Sequence, residues 1–136
     1  MRTKLPLYLV IAVAMLVSLI AVPILADDDP IPMWVSRARL AYNGRSPHGP
    51  DRVVGMIHVR NANLSMVPAA AVTAEWTLPD GTAFQETALT SFQGIAEFRV
   101  WAGRGVYKLC VIGVTKDGWL YDPSLDLETC PTFIVP

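Results

Sequence analysis

The sequence predicts an all-β fold. The predicted domain is a seven-stranded antiparallel sandwich, and a signal peptide helix comes before it at the N-terminus. Three observations carry this prediction. From residue 33 onward hydrophobic residues recur with period two, as on the buried face of a strand, and no segment has convincing helical periodicity. Turn residues separate these runs at intervals of about 10–15 residues. Residues 1–26, by contrast, include 20 hydrophobic residues, which is typical of an export signal.

The N-terminal segment has the three parts of a secretory signal. Arg2 and Lys4 form its positive end, a hydrophobic run covers residues 5–25, and Ala26 is the expected last residue of the signal peptide 1–26. The run is close to the roughly 20 residues that span a bilayer, so the alternative is an uncleaved N-terminal membrane anchor. The body is exported in both cases, either secreted or held at the outer face of the membrane by residues 5–25. A membrane contact is expected only if the segment is not cleaved.

Composition limits what the rest of the chain can be. Residues 27–32 form a short acidic, proline-containing linker, and residues 33–136 form the sandwich. After residue 26 the chain has 9 basic and 12 acidic side chains, so no nucleic-acid partner is expected. Its hydrophobic share of about 46% is that of an ordinary globular domain and excludes a disordered chain. The length suits one domain and not two.

The first two strands have the weaker patterns. In the first strand, polar side chains alternate with a hydrophobic set that consists of Trp34, Ala38, Leu40 and Tyr42. A loop rich in glycine and proline covers residues 43–50. The second strand is predicted over residues 52–60, on the other side of that loop.

The later strands alternate more regularly. The third strand covers residues 70–78, and Trp76 lies on its hydrophobic face, so Trp76 is expected in the core. A turn at residues 79–81 leads into a return strand over residues 82–89, which completes a hairpin. Three more strands are predicted, after Gly94, over residues 106–115 and over residues 130–135.

Cys110 and Cys130 are expected to form a structural disulfide, because two cysteines outside the cytosol usually pair and allow a single connectivity. The bridge would close about 20 residues, which in the chain-entropy model stabilises the fold by roughly 3 kcal/mol. The alternatives are a metal site or a reactive thiol. The chain has no Cys-x-x-Cys motif that would favour either.

Core and turn patterns of one kind lie at residues 53–59, 67–72, 80–81, 94–100 and 105–111. Together they resemble those of bacterial immunoglobulin-like and fibronectin-III-like modules. Their spacing is also similar to that of the prealbumin-like regulatory domains of carboxypeptidases, and residues 121–123 are similar to modules attached to secreted bacterial proteases. The resemblance covers nearly all of residues 33–136. It implies a secreted β-sandwich that serves as a spacer, stabiliser or adhesion surface and has no catalytic residues.

No arrangement of catalytic residues stands out, so the chain is expected not to be an enzyme. The sequence has no Gly-x-Ser-x-Gly elbow and no phosphate-binding glycine loop. His48 lies in the glycine- and proline-rich loop, and His58 lies on a strand, where an isolated histidine is usually a surface residue. A Ser-His-Asp arrangement stays open at this point, because its members meet only in space.

The acidic loop 116–128 is the best candidate for a ligand site. Its carboxylates fall within 12 residues and are Asp117, Asp122, Asp126 and Glu128. Several oxygen ligands from one loop suit calcium, although the spacing matches no EF-hand. The alternatives are therefore a calcium site and a plain solvated loop, and no other cofactor is expected.

The same loop contains Trp119 and Tyr121, which could stack on sugar rings or anchor a protein partner. The alternative is that the two rings cap the open end of the sandwich. Two functions follow from these patterns. The first is a secreted, non-enzymatic module that contacts an unknown protein or glycan at the cell surface. The second is a small carbohydrate-binding module that uses the 116–128 loop.

Overall fold

The alternating pattern produces strands throughout the described part of the chain. A computed structural model describes residues 29–44 and 51–136, and these residues form eight strands and one 3₁₀ turn. The strands are β1 (Ile31–Asn43), β2 (Arg52–Asn61), β3 (Ala71–Thr77), β4 (Ala83–Leu89), β5 (Ile95–Trp101), β6 (Gly105–Thr115), β7 (Trp119–Tyr121) and β8 (Thr132–Val135), and the 3₁₀ turn is Pro123–Leu125. The predicted all-β class is confirmed.

The strands form two four-stranded sheets. The first sheet has the order β5-β2-β1-β7, and the second has the order β4-β3-β6-β8. The strand pairs are antiparallel except for β1 and β7, which are parallel. β3 and β4 pair along their whole lengths as the predicted hairpin. Buried side chains from both sheets form one core, so the sheets pack face to face.

The core between the sheets is hydrophobic. Trp76 of β3 is its largest fully buried side chain, as the alternation predicts, and the indole Nε1 has no hydrogen-bond partner among the described residues. Gly55 of β2 faces this core, where a Cβ atom would lie 2.3 Å from Cδ2 of Leu109 on the other sheet. Glycine at this position therefore lets Leu109 fill the space between the sheets. The other buried hydrophobic residues are Met33, Val35, Ala38, Leu40, Val53, Ile57, Val59, Val67, Ala70, Val72, Ala74, Ala96, Phe98, Tyr107, Val114 and Val135.

The number of strands differs from the prediction. The sequence predicts seven antiparallel strands, whereas the described residues form eight. The additional strand is β7, which lies inside the segment predicted as the 116–128 loop. It pairs in parallel with the start of β1, with Ile31 opposite Trp119 and Met33 opposite Tyr121. Three residues are too few to show a period, and a parallel partner far away in the sequence leaves no local signal.

A β-bulge changes which side chains of β1 face the core. The prediction places Trp34 in the same hydrophobic set as Ala38 and Leu40, but Val35 is buried instead and Trp34 is half-buried on the opposite face. The register of β1 against β2 shifts at Ser36, where one extra residue in β1 reverses the alternation. Ala38 and Leu40, which follow the bulge, face the core as predicted.

Part of the predicted domain organisation lies outside the described residues. This applies to the signal peptide 1–26, to the start of the linker 27–32 and to most of the loop 43–50. β1 begins at Ile31, so the last two residues of that linker belong to the first sheet. No helix in the described part of the chain is long and apolar enough to cross a bilayer. The choice between a cleaved signal and an anchor stays a prediction.

A tyrosine fixes the connection between the two sheets. β5 belongs to the first sheet and β6 to the second, with residues 102–104 between them. Tyr107, near the start of β6, has a buried ring, and its hydroxyl accepts a hydrogen bond from the backbone N–H of Gly103 at 2.6 Å. The same hydroxyl can donate to the carbonyl oxygen of Gly103 at 3.1 Å or of Trp101 at 3.3 Å. The side chain therefore ties the connection to the strand that follows it.

Candidate functional site

The segment 116–129 leaves the second sheet, pairs with the first sheet through β7, and returns to the second. Cys110 in β6 and Cys130 just before β8 form the predicted disulfide, with their Cα atoms 4.1 Å apart. Between these cysteines, the backbone N–H of Leu127 donates to the carbonyl oxygen of Val35 in β1 at 3.2 Å. The predicted loop is therefore attached to both sheets.

Asp126 anchors this segment to β1. Its Oδ1 accepts a hydrogen bond from the backbone N–H of Val35 at 2.7 Å, and its Oδ2 accepts one from the hydroxyl of Tyr121. Burial raises the pKa of Tyr121 well above its ordinary value, and the neighbouring Asp126 carboxylate adds to the effect. The hydroxyl therefore stays protonated and keeps donating to the carboxylate.

Replacing Asp126 with alanine is expected to lower the free energy of unfolding by about 2 kcal/mol, because Val35 N–H and the Tyr121 hydroxyl lose a charged acceptor. Urea denaturation followed by tryptophan fluorescence measures the loss. The control is Asp117→Ala, which removes an exposed carboxylate of the same segment that has no hydrogen bond to a described residue. Its loss should stay within about 0.5 kcal/mol. Equal losses in the two variants would contradict the anchoring role of Asp126.

The two aromatic residues predicted to bind a ligand already have contacts within the fold. Trp119 and Tyr121 are half-buried and pack against the core, while Leu120 between them is exposed. Nζ of Lys116 lies 5.1 Å from the centroid of the Trp119 ring and donates a hydrogen bond to the carbonyl oxygen of Pro68. Binding of a protein or a sugar by Trp119 and Tyr121 stays a prediction.

The four carboxylates predicted to bind calcium do not converge. Asp126 and Glu128 line one groove of about 620 Å³ beside β6. Asp122 instead caps the 3₁₀ turn, where its Oδ1 accepts a hydrogen bond from the backbone N–H of Ser124 at 3.1 Å, and Asp117 lies outside the groove. Within residues 29–44 and 51–136 no group of three or more His, Cys, Asp or Glu side chains is arranged to hold a metal ion. The structure thus brings together two of the four carboxylates.

A second candidate site lies on the outer face of the first sheet. Strand alternation places five arginines there, namely Arg37 and Arg39 on β1, Arg52 and Arg60 on β2, and Arg99 on β5. The described residues include eight lysines and arginines in all, against ten aspartates and glutamates. Glu97 is the one acidic residue at the outward positions of these three strands. We call this surface the arginine face.

Sheet pairing arranges the arginine face in rows across the strands. Arg37 lies opposite His58, and His58 lies opposite Ile95 on the next strand. Arg52 lies opposite Trp101, and its guanidinium carbon is 5.0 Å from the centroid of the indole ring. Trp101 is still 68% exposed. The face therefore combines positive charge with the exposed ring of Trp101 and the half-buried ring of Trp34, which lies opposite Arg60.

Two of the five arginines have no partner in the described part of the chain. Arg99 pairs with Glu97, with Nε and Oε1 2.5 Å apart, and Arg60 donates to a backbone carbonyl oxygen at 3.3 Å. No hydrogen bond or ion pair with a described residue engages Arg37 or Arg39, and both side chains are exposed. Their guanidinium groups are therefore accessible to a ligand.

His58 lies in the middle of this positive surface. Its side chain is half-buried on β2. Burial lowers its pKa below the ordinary value of 6.5, and the charges of Arg37, Arg60 and Arg39 lower it further. The imidazole is therefore neutral at neutral pH.

His58 should make the fold less stable on acidification. The unfolded chain binds a proton at this residue near pH 6.5, whereas the folded chain binds it only at lower pH. Stability is therefore complete above the unfolded pKa and declines as the pH falls through the folded pKa. We expect His58→Gln to remove this part of the decline, as measured by the melting temperatures of the two proteins from neutral pH downwards. β5 lies beside His58 and has two charged residues, Glu97 and Arg99, which form an ion pair with each other. A constant difference in melting temperature over the whole range would contradict the prediction.

The arginine face is not among the sites predicted from the sequence, although the pattern of the predicted strands already contains three of its arginines. Arg37, Arg39 and Arg99 occupy the polar positions of two predicted strands. Local alternation does not say that β1, β2 and β5 are neighbours, and only that order places their side chains on one surface. Comparisons with protein-family models, with curated proteins and with solved structures find no significant match to the chain.

Proposed function

We propose that this chain is an exported, non-enzymatic β-sandwich module of the immunoglobulin-like class that works by binding at a cell surface. The arginine face is the observation that carries the binding role. The hydrophobic segment predicted as a signal, residues 1–26, supports export. The disulfide between Cys110 and Cys130 is in keeping with an oxidising compartment outside the cytosol.

The strand order supports the immunoglobulin-like class. β1, β2 and β5 share one sheet, and β3, β6 and β8 share the other, which corresponds to the ABE and CFG strands of an immunoglobulin domain. β4 pairs with β3, whereas the fourth strand of a constant-type domain belongs to the opposite sheet. This difference favours the fibronectin-III-like modules within the class.

Tyr107 supports the same class. In immunoglobulin-like sandwiches a tyrosine near the start of the sixth strand bonds through its hydroxyl to the backbone just upstream. Tyr107 occupies this place near the start of β6, and its hydroxyl contacts Gly103 and Trp101. The contact is independent of the strand order, so the two observations support the assignment separately.

The contacts of the titratable side chains support a non-enzymatic role. Asp126 and Asp122 accept hydrogen bonds that hold the segment 116–129 in place. The charges that act on His58 are those of three arginines, and a catalytic histidine is normally oriented by a carboxylate. These groups maintain the fold and the charge of a surface.

The arginine face supports binding because it concentrates cations on one side of a chain with an excess of acidic residues. Five of the eight described cationic side chains lie on it, together with the exposed indole of Trp101. Arginine and tryptophan are enriched among the residues that dominate binding energies at interfaces. An open sheet face with these residues is suited to contact another surface or an extended chain.

Binding to cells tests the proposal. The labelled protein is added to intact cells of its source that lack the gene, and bound label is measured by flow cytometry. We expect saturable binding that weakens about tenfold in Arg39→Glu, since the change removes one attraction and adds one repulsion. The matched control is Lys108→Glu, the same charge change at an exposed outward position of the second sheet. Absence of saturable binding, or equal binding by the two variants, would refute the proposal.

A further inference from the structure

We infer that the arginine face binds an extended anionic polysaccharide, a glycan whose carboxylate or sulfate groups pair with the arginines along the sheet. The inference rests on the proposed function, because it assumes that this face makes the contact with the cell surface. It specifies the ligand class for that contact. It also places glycan binding on the outer face of β1, β2 and β5, and not on Trp119 and Tyr121 of β7.

The charge of the arginine face requires an anionic ligand. Five arginines against one glutamate leave an excess of four positive charges on the outward positions of β1, β2 and β5. Glu97 is already paired with Arg99, so it does not compensate Arg37 or Arg39. A guanidinium group binds a carboxylate, sulfate or phosphate through two parallel hydrogen bonds, and both of these arginines are exposed.

The arrangement of the cations favours a chain over a small anion. Arg52 and Arg60 lie near the two ends of β2, eight residues apart, which is roughly 26 Å at the rise of a strand. Arg37 and Arg39 lie between them on β1, opposite His58 and Met56. The positive groups therefore form a row along the strands, and a small anion would meet only one part of it.

Trp101 gives the face a group suited to sugars. It lies at the end of the row, next to Arg52 and 68% exposed. An exposed indole ring can stack on the apolar face of a sugar ring, because the indole has an apolar body and a polar N–H group. A chain with both rings and anionic groups would use Trp101 and the arginines at the same time.

The apolar side chains of the face make a lipid surface a poorer ligand. Val54, Met56 and Ile95 are half-buried between the charged residues. Proteins that lie on membranes insert protruding apolar side chains below the headgroups, whereas among the large apolar side chains at the outward positions of β1, β2 and β5 Trp101 is exposed and Trp34 is half-buried. The geometry therefore points to a glycan that runs along the sheet.

A panel of defined ligands tests the inference on the full chain. The polysaccharides are dextran sulfate, polygalacturonate and neutral dextran, and the alternatives are polyglutamate and vesicles of phosphatidylglycerol with phosphatidylcholine. Affinities are measured by calorimetry or by co-sedimentation. We expect binding to the two charged polysaccharides, weakened by salt, and none to neutral dextran. Arg39→Glu should weaken it about tenfold and Lys108→Glu by less than twofold.

Trp101→Ala separates sugar recognition from simple attraction of polyanions. We expect this variant to bind the charged polysaccharides at least threefold more weakly, with no change for polyglutamate, and its melting temperature shows that it folds. Binding to vesicles or polyglutamate without binding to either charged polysaccharide would overturn the inference. So would charged-polysaccharide binding that is equal in Arg39→Glu and Lys108→Glu. In either case the cell-binding result stands independently, so failure of the glycan class and failure of the proposed function are distinct outcomes.

Discussion

Replacing Trp76 with alanine is expected to lower the free energy of unfolding by about 4 kcal/mol, the largest single-residue loss that we predict for this chain. The side chain is fully buried and is the largest in the core between the sheets. Its removal takes away the hydrophobic contacts of the indole and leaves a cavity that strands on both sides cannot close. Since domains of this size have a total stability of about 5–15 kcal/mol, the variant should be close to unfolding. Urea denaturation measures the loss.

Trp101→Ala is the control for this change, because it removes the same side chain from an exposed position. Trp101 is 68% exposed at the end of β5, so its loss should change the free energy of unfolding by about 0.5 kcal/mol or less. The two variants thus separate core packing from the general effect of removing an indole. Similar losses in both would contradict the assignment of Trp76 to the core.

Loss of the disulfide is expected to have the next largest effect. Changing both Cys110 and Cys130 to alanine should lower the free energy of unfolding by about 3 kcal/mol, because the bridge restricts a loop whose ends are 20 residues apart in the unfolded chain. For a domain of this size that corresponds to a fall in melting temperature of roughly 10–20 °C. Thermal unfolding with and without a reducing agent measures it.

The reducing agent supplies the control for the cysteine variant. Reduction should destabilise the wild-type protein by about as much as the double substitution does, and it should leave the variant unchanged. Asp126→Ala should lower the free energy of unfolding by less in the cysteine variant than in the wild type. The two effects are coupled because the disulfide and Asp126 both restrain the segment 116–129. A melting temperature that reduction does not change would show that the bridge contributes no stability.

The regular strands could be predicted because their partners leave a local signal. In β3 the alternation of Val72, Ala74 and Trp76 with polar residues identifies the buried face, and all three are buried. The hairpin with β4 follows from the turn residues at Asp80 and Gly81. In such segments the pattern that specifies the strand is also the pattern that fills the core.

The irregular elements could not be predicted, since they depend on partners far away in the sequence. The bulge at Ser36 is defined by the register of β1 against β2, and without it the alternation assigns Trp34 to the wrong face. β7 forms because Trp119 and Tyr121 lie opposite the start of β1. The bulge has no turn residue that would show it, and although the turn at Asp117 and Gly118 precedes β7, three residues show no period and a turn does not reveal a parallel partner.

The candidate sites also include features that could be predicted from the sequence and features that could not. The pairing of Cys110 with Cys130 could be predicted by counting, since two cysteines allow one bridge. The roles of Asp126 and Asp122 could not, because their hydrogen bonds depend on the path of the chain after β7. For the arginine face, alternation gives the outward positions of single strands, and the sheet order brings them together.

The parallel pairing of β7 with β1 has a consequence for association between copies of the chain. β1 is thirteen residues long and would otherwise present unpaired N–H and C=O groups at the edge of its sheet. An edge of that kind is a template on which a second chain can add a strand and aggregate. β7 and the hydrogen bond from Leu127 to Val35 occupy the first five residues of this edge. The segment 116–129 therefore covers the start of this edge, where a second chain could otherwise add a strand.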